Sequence, residues 1–125
     1  MTAPRLGRVQ HSIMRVLWER GEATAREITD TLHAKAPIAH STVQTLLRKL
    51  QEKGAVAHRT EGRTFIFYPR IQPEKATKSA TREFVDRVFS GSAGGAVAFL
   101  LKHERLSRKE LERIRALIEE KEERK

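Results

Sequence analysis

The stretch from residue 41 to residue 70 decides the fold of this chain. It reads STVQTLLRKLQEKG over residues 41–54 and AVAHRTEGRTFIFYPR over residues 55–70. The apolar residues of the first part recur at i, i+3, i+4 and i+7, the spacing of one helix face: Val43, Leu46, Leu47 and Leu50. Gly54 ends this helix. In the second part, alternating residues on either side of Glu61-Gly62 predict a hairpin with strands at Val56–Arg59 and Thr64–Tyr68.

The opposite face of the predicted helix is small, polar and basic. It carries Ser41, Thr45, Arg48 and Glu52, flanked by Gln44 and Lys49. The candidate DNA contacts are Ser41, Thr42, Gln44, Thr45, Arg48 and Lys49. A Gln amide can bond adenine, an Arg guanidinium can bond guanine, and a Thr methyl can contact the methyl of thymine. The hairpin adds Arg59, Arg63 and Thr64, which we expect over the DNA backbone or minor groove. These features predict the reading half of a winged helix-turn-helix with duplex DNA as its ligand. The alternative is a solvated helix face beside an ordinary hairpin.

Two more helices precede this stretch. The first is predicted from about Gln10 to Arg20, ending at Gly21, and its apolar stripe with the neighbouring large residues consists of Val9, Ile13, Met14, Val16, Leu17 and Trp18. For Trp18 we favour core packing over an effector platform. Thr24 and Glu27 have the spacing of a capping box, which opens a second helix that runs to about Ala34. Residues 1–72 are therefore predicted to form a winged-helix DNA-binding domain.

Beyond Pro73 the pattern is helical, without strands. A stripe of Ala80, Phe84 and Val88 is followed by a break at residues 90–95 and by a short apolar piece at residues 96–102. Ser107 and Glu110 form a second capping-box pattern before the last helix. The charged residues 119–125 are expected to fray.

The apolar stripes of residues 73–125 are too large for so short a tail to bury by itself. We therefore predict a helical dimerisation domain and a homodimer. The predicted dimer contacts are Phe84, Val88, Phe89, Phe99, Leu100, Leu111, Ile114, Leu117 and Ile118. Phe84, Phe89 and Phe99 could instead line an effector pocket between subunits. The predicted fold class is mainly α with a small β-hairpin.

Charge favours a polyanionic partner. The formal net charge is +9, and residues 1–72 hold 12 Lys and Arg against 6 Asp and Glu. Basic surfaces of this kind bind nucleic acid through counterion release. A winged helix that binds RNA or an acidic protein is the alternative function, and salt-sensitive binding to one dyad duplex would separate the two.

Other chemistry finds little support. The chain has no cysteine, which excludes disulfides, thiolate zinc sites and Cys nucleophiles. The five histidines lack metal-binding spacing, the glycines form no phosphate loop, and no triad is apparent. We therefore expect no enzyme activity, no cofactor and no metal. No apolar run approaches the ~20 residues that span a membrane and no signal peptide is evident, so a cytoplasmic protein is expected.

Three phrases of this chain resemble the penicillinase repressor family (BlaI/MecI, with the copper-responsive CopY branch): GRVQHSIMRVLW at residues 7–18, the helix at residues 41–54 and RTFIFYP at residues 63–69. The tail phrase LSRKELERI at residues 106–114 is also similar. The resemblance implies a homodimeric transcriptional repressor that binds a dyad operator through an N-terminal winged helix. It also implies a C-terminal helical dimerisation domain.

The resemblance further implies a partner protease, either a membrane sensor protease or a protease downstream of it. In characterised branches a membrane sensor protease leads to cleavage in the C-terminal part, at an Asn-Phe bond in the β-lactam branch. The matching bond here is Ala98-Phe99, where the Phe is kept and the Asn is not. The cysteine metal hook of the copper branch is missing.

Overall fold

The computed structural model describes residues 5–124. Along the chain these form α1 (Arg8–Arg20), β1 (Ala23–Thr24), α2 (Ala25–His33), α3 (His40–Glu52), β2 (Val56–Glu61), β3 (Thr64–Pro69), α4 (Pro73–Val88), α5 (Ala93–His103) and α6 (Arg108–Glu123). The chain divides into two compact units, the first ending at Glu83 and the second beginning at Phe84. The mainly helical fold with a hairpin is as the sequence predicts.

The core of the first unit lies where α1, α2 and α3 meet the sheet. The largest fully buried side chains come from the predicted helix faces: Ile13, Met14, Leu17, Ile28, Val43, Leu47 and Leu50. Trp18 packs against this core as expected, and its indole N–H donates to the carbonyl oxygen of Ile71 at 2.9 Å. Val9, which was placed on the α1 stripe, is 37% exposed, so that assignment was wrong. It lies in the first turn of α1, where the neighbouring Gln10 is buried instead.

Local sequence signals set the start of α2 and the end of α3. The Thr24 hydroxyl accepts from the N–H of Glu27 at 3.1 Å, and the Glu27 carboxylate accepts from the N–H of Thr24 at 2.9 Å, which confirms the capping box of α2. At the end of α3, Gly54 takes a positive φ of 79°. Its N–H donates to Gln51 and the N–H of Ala55 donates to Leu50, which is a Schellman ending.

The sheet has three antiparallel strands in the order β1-β3-β2. β2 and β3 pair from Val56 opposite Pro69 to Glu61 opposite Thr64, slightly longer than the predicted hairpin. Gly62, with φ of 64°, is the first of the two loop residues, the position where a type II′ turn requires positive φ. The hairpin is hereafter called the wing. The two-residue strand β1 pairs with Phe67 and Ile66 of β3. The sequence does not predict this strand, because two residues are too few to show alternation.

In the second unit, two boundary predictions were wrong. α5 begins at Ala93, not at residue 96, and so includes the two glycines. The reason is a helix cap: the Ser92 hydroxyl accepts from the N–H of Gly95 at 2.9 Å. α6 continues to Glu123, where fraying was expected. Its predicted capping box between Ser107 and Glu110 is present, with bonds of 3.1 and 3.2 Å.

The second unit buries little of its apolar surface. Val85 and Ala96 are its buried hydrophobic residues, and α6 has none. Among residues 5–124, no single helix is both long and apolar enough to cross a membrane, although α4 and α5, taken together as a bent pair, meet that test by length and composition.

Candidate nucleic-acid interface

A cleft in the first unit lies between α2, α3 and the wing. Its volume is about 600 Å³. Three elements line it: the start of α2, the exposed side of α3 and the inner side of the wing. The lining residues are Thr24, Ala25, Arg26, His40, Gln44, Leu47, Arg48, Gln51, His58, Arg63, Thr64, Phe65 and Phe67. The cleft thus joins the predicted reading helix to the predicted wing.

The structure places all six predicted α3 residues on the exposed side of the helix: Ser41, Thr42, Gln44, Thr45, Arg48 and Lys49. Of these, Gln44 and Arg48 line the cleft. Their spacing of four residues puts them one turn apart on the same face. The burial of Val43, Leu47 and Leu50 on the other side holds that face outward.

The predicted wing residues differ in their surroundings. Arg63 and Thr64 line the cleft, and Arg63 has no ion pair within the described part of the chain. Arg59 lies outside the lining and contacts two carboxylates, Glu22 at 2.7 Å and Glu61 at 2.9 Å. Hydrogen bonding to Glu22, and then to Glu61, raises the pKa of the Arg59 guanidinium above its ordinary value.

The cleft also contains residues outside the predicted set of site residues. They are Arg26 on α2, His40 and Gln51 on α3, and His58 and Phe65 on the wing, together with Thr24 and Ala25. Of these residues, Arg26 could have been predicted from the sequence. It lies in the first turn of α2, and in a helix-turn-helix the first of the two helices crosses the DNA backbone.

His40 is fixed by its neighbour on α2. Its Nδ1 lies 2.8 Å from the hydroxyl of Thr29, and that hydroxyl donates its single proton to the carbonyl oxygen of Ala25 at 2.8 Å. The His40 Nδ1–H is therefore the donor to Thr29. This bond joins the middle of α2 to the start of α3, and the angle between these two helices sets how a reading helix meets DNA.

His58 makes contacts in two directions within the cleft. Its Nδ1 lies 2.7 Å from Oε1 of Gln51 in the last turn of α3. Its ring stacks on Phe65, with ring centroids 4.0 Å apart and planes 14° apart. Phe65, which lines the cleft, is nevertheless 49% exposed.

The predicted dimer contacts are mostly exposed apolar side chains. Seven of them are 40–54% exposed: Phe84, Val88, Phe99, Leu100, Leu111, Leu117 and Ile118. Phe89 and Ile114 are half-buried. Phe84, Phe89 and Phe99 come together edge to face, with successive ring centroids 5.8 and 5.7 Å apart. Ala98 and Phe99 lie in the middle of α5, with their peptide bond inside the helix.

No metal site is formed within residues 5–124, where no three His, Asp or Glu side chains gather as ligands.

Comparison with known proteins relates the whole chain to one family. The penicillinase repressor family matches residues 6–120. The penicillinase repressor of Bacillus licheniformis is 27% identical over 122 residues, covering 98% of this chain and 95% of that protein. The methicillin resistance regulatory protein MecI of Staphylococcus aureus is 22% identical over 109 residues, covering 87% of this chain and 89% of its own length.

Two solved structures of BlaI match about 60% of this chain. The DNA-binding domain of the repressor BlaI superposes with a TM-score of 0.54 and 29% identity, over 60% of this chain and 93% of that domain. The monomeric form of Bacillus licheniformis BlaI, in complex with the blaP half-operator, gives a TM-score of 0.52 and 28% identity, over 59% of this chain and 90% of that one. With a matching family over nearly its full length and a winged helix in its first unit, this chain belongs to the penicillinase repressor family.

Proposed function

We propose that this protein is a transcriptional repressor that binds a dyad DNA operator as a homodimer. The observation that carries the proposal is the cleft in which Gln44 and Arg48 of α3 and Arg63 and Thr64 of the wing lie together. Family membership supports the repressor role. The solved complex of the Bacillus licheniformis relative with its half-operator supports duplex DNA as the ligand.

In this proposal α3 lies in the major groove and reads base edges. The side chains of Ser41, Thr42 and Thr45 are short and exposed, so α3 can approach the base edges closely. Arg48 can bond O6 and N7 of guanine with two N–H groups, and Gln44 can bond N6 and N7 of adenine. Lys49 supplies a cation for the flanking phosphates. These contacts provide both sequence discrimination and position on the duplex.

The wing contributes mainly to affinity. Arg63 at the hairpin tip has a free charge for phosphate or minor groove, whereas the charge of Arg59 is offset by Glu22 and Glu61. We therefore assign the phosphate contact to Arg63 and a role in holding the wing to Arg59. Arg26 on α2 adds a second phosphate contact from the other side of the cleft.

The proposed homodimer rests on the second unit. Its large apolar side chains are about half exposed, and α6 buries none of its own. An accumulation of exposed large apolar side chains is typical of a protein interface. A twofold dimer would present two reading helices to half-sites about one helical turn, ~34 Å, apart. Dimerisation raises the effective concentration of the second helix once the first has bound.

Proteolysis at Ala98-Phe99 is a proposed route to inactivation. This bond lies inside α5, so a protease could bind it only after local unwinding of the helix. A cut there would divide α5, release its second half together with α6, and weaken the dimer, leaving the reading helix intact. Induction followed by mass spectrometry of the protein tests this route, and an intact chain during full derepression would reject it.

The test of the function is a salt titration with duplexes selected by the full-length protein from a random library. For the wild type, we expect specific affinity to fall steeply with salt. Arg63→Ala should lower the slope of log K against log salt by about one unit, because one phosphate contact is lost. Arg15→Ala removes an equal charge from the exposed side of α1, outside the cleft, and should leave the slope nearly unchanged.

Failure to enrich any duplex would reject the repressor assignment. Preferential binding of single-stranded RNA, or of an acidic protein, would support the alternative of a winged helix with another partner.

A further inference from the structure

We propose that His58 is a positioning residue that fixes the wing against the reading helix. This inference rests on the proposed DNA-binding function and assigns a role to a residue that does not itself have to contact DNA. The geometry consists of one hydrogen bond to α3 and one ring stack within the wing, which meet at the His58 imidazole.

The hydrogen bond joins the wing to α3. His58 Nδ1 and Gln51 Oε1 are 2.7 Å apart, and because an amide oxygen can only accept, the imidazole N–H is the donor. Within residues 5–124, this is the side-chain hydrogen bond that connects α3 with the wing. Gln51 lies in the last turn of α3, which is stabilised by the backbone hydrogen bonds from Gly54 to Gln51 and from Ala55 to Leu50.

The ring stack carries this restraint toward the wing tip. The imidazole is stacked on Phe65 at 4.0 Å, and it also lies 5.7 Å from the ring of the buried Phe67. Phe65 is two residues from Arg63. Phe67 anchors the base of the wing in the core, and the stack on Phe65 restrains the half of the wing nearest the tip.

This restraint matters because β1 pairs only with Phe67 and Ile66 of β3, so the wing from Phe65 to its tip is a two-stranded ribbon, which is only marginally stable by itself. On its other side, β2 is restrained by the ion pair of Arg59 with Glu22. Glu22 lies in the segment between α1 and β1, so this ion pair does not connect the wing with α3. The bond between His58 and Gln51 therefore fixes the separation between the base-reading face of α3 and the phosphate-binding cation of the wing. Both must fit the same stretch of duplex.

The test is a double-mutant cycle on affinity for the selected operator. His58→Phe keeps a ring to stack on Phe65 but removes the donor, and Gln51→Leu removes the acceptor. Each should weaken binding about 3- to 5-fold and lower the salt slope by up to about one unit, as Arg63→Ala does. Because all three changes remove the same wing contact, His58→Phe in the Arg63→Ala background should cost less than about 2-fold more.

Two controls separate positioning from other roles. The pairing of His58→Phe with Arg15→Ala should be multiplicative, because Arg15 lies outside the cleft. Base preference, measured on single-base variants of the operator, should stay unchanged in His58→Phe and Gln51→Leu, because α3 is intact. Thermal melting checks that each variant is folded.

The outcomes are distinct from failure of the proposed function. If no duplex is bound specifically, the repressor assignment fails. If the duplex is bound but the effects of His58→Phe and Arg63→Ala multiply fully, or if His58→Phe changes base preference, the positioning role is wrong and a direct contact replaces it.

Discussion

At the scale of single residues, the carboxylate of Glu27 stabilises the start of α2. It accepts the backbone N–H of Thr24 at 2.9 Å, and the Arg20 guanidinium donates to it at 2.8 Å. The hydrogen bond from the Thr24 backbone, followed by that from the Thr24 hydroxyl group and the charge of Arg20, lowers the pKa of Glu27 below its ordinary value of 4.5. These bonds favour the ionised form in the folded state.

The sign of the pH dependence follows from this lowered pKa. Glu27 contributes stability that is fully present above about pH 4.5 and is lost as pH falls through the lower folded-state pKa. Glu27→Gln should therefore lower the melting temperature at pH 7 and reduce the further loss on acidification. Glu52→Gln, at an exposed carboxylate on α3, is the control. Parallel pH profiles for wild type and Glu27→Gln would contradict the assignment.

At the scale of elements, the sequence predicted the helices and the hairpin of the first unit well, because the sequence signals for them are local. A capping box, an apolar face ending in glycine and a tight turn each depend on a few consecutive residues. The turn residues are Gly62 and Arg63, one position later than the predicted Glu61-Gly62. The cleft could not be predicted in full. Gln51, His58 and Phe65 show no common pattern along the chain and come together only when the wing folds back beside α3.

The start of α5 shows a local signal that was misread. Two glycines at residues 94 and 95 suggested a break, because glycine is a poor helix former. The structure has Ser92 capping the helix, and a Cβ atom on Gly95 would lie 2.9 Å from the Ser92 hydroxyl oxygen. Glycine therefore permits the close approach that the cap requires.

Removal of this cap should destabilise α5. We expect Ser92→Ala to lower the free energy of unfolding by about 1 kcal/mol, because the N–H of Gly95 loses its acceptor. Chemical denaturation at fixed protein concentration measures this. Ser41→Ala, which removes an exposed serine without a capping bond, should change the free energy by less than about 0.5 kcal/mol. Equal effects of the two changes would show that the cap contributes nothing.

At the scale of the whole molecule, the second unit has more apolar surface than it can bury. Periodicity therefore predicted the helices of the second unit but not the surfaces that they pack against. In our proposal, the contacts that would cover Leu117 and Ile118 come from the second subunit of the dimer. The DNA-binding unit, in contrast, has a closed core of its own.

A charge introduced into the apolar stripe of α6 should abolish dimerisation. Leu117→Glu would have to bury a carboxylate in the dimer, so we expect a monomer at micromolar concentration by analytical ultracentrifugation. Operator affinity should fall at least about 100-fold, because the two reading helices are no longer linked. Ala116→Glu adds the same charge on the other side of α6 and should remain dimeric. A wild-type protein that sediments as a monomer would overturn the proposal.

The central claim is that α3 reads DNA sequence, and base preference tests it most directly. Full-length wild type and Arg48→Ala are each used to select duplexes from one random library, and the enriched sequences are compared. We predict that the wild type enriches a twofold-symmetric sequence and that Arg48→Ala relaxes the preference at one base pair in each half-site, with a loss of about 1–3 kcal/mol in specific binding. An identical enriched sequence and affinity for both proteins would contradict the account.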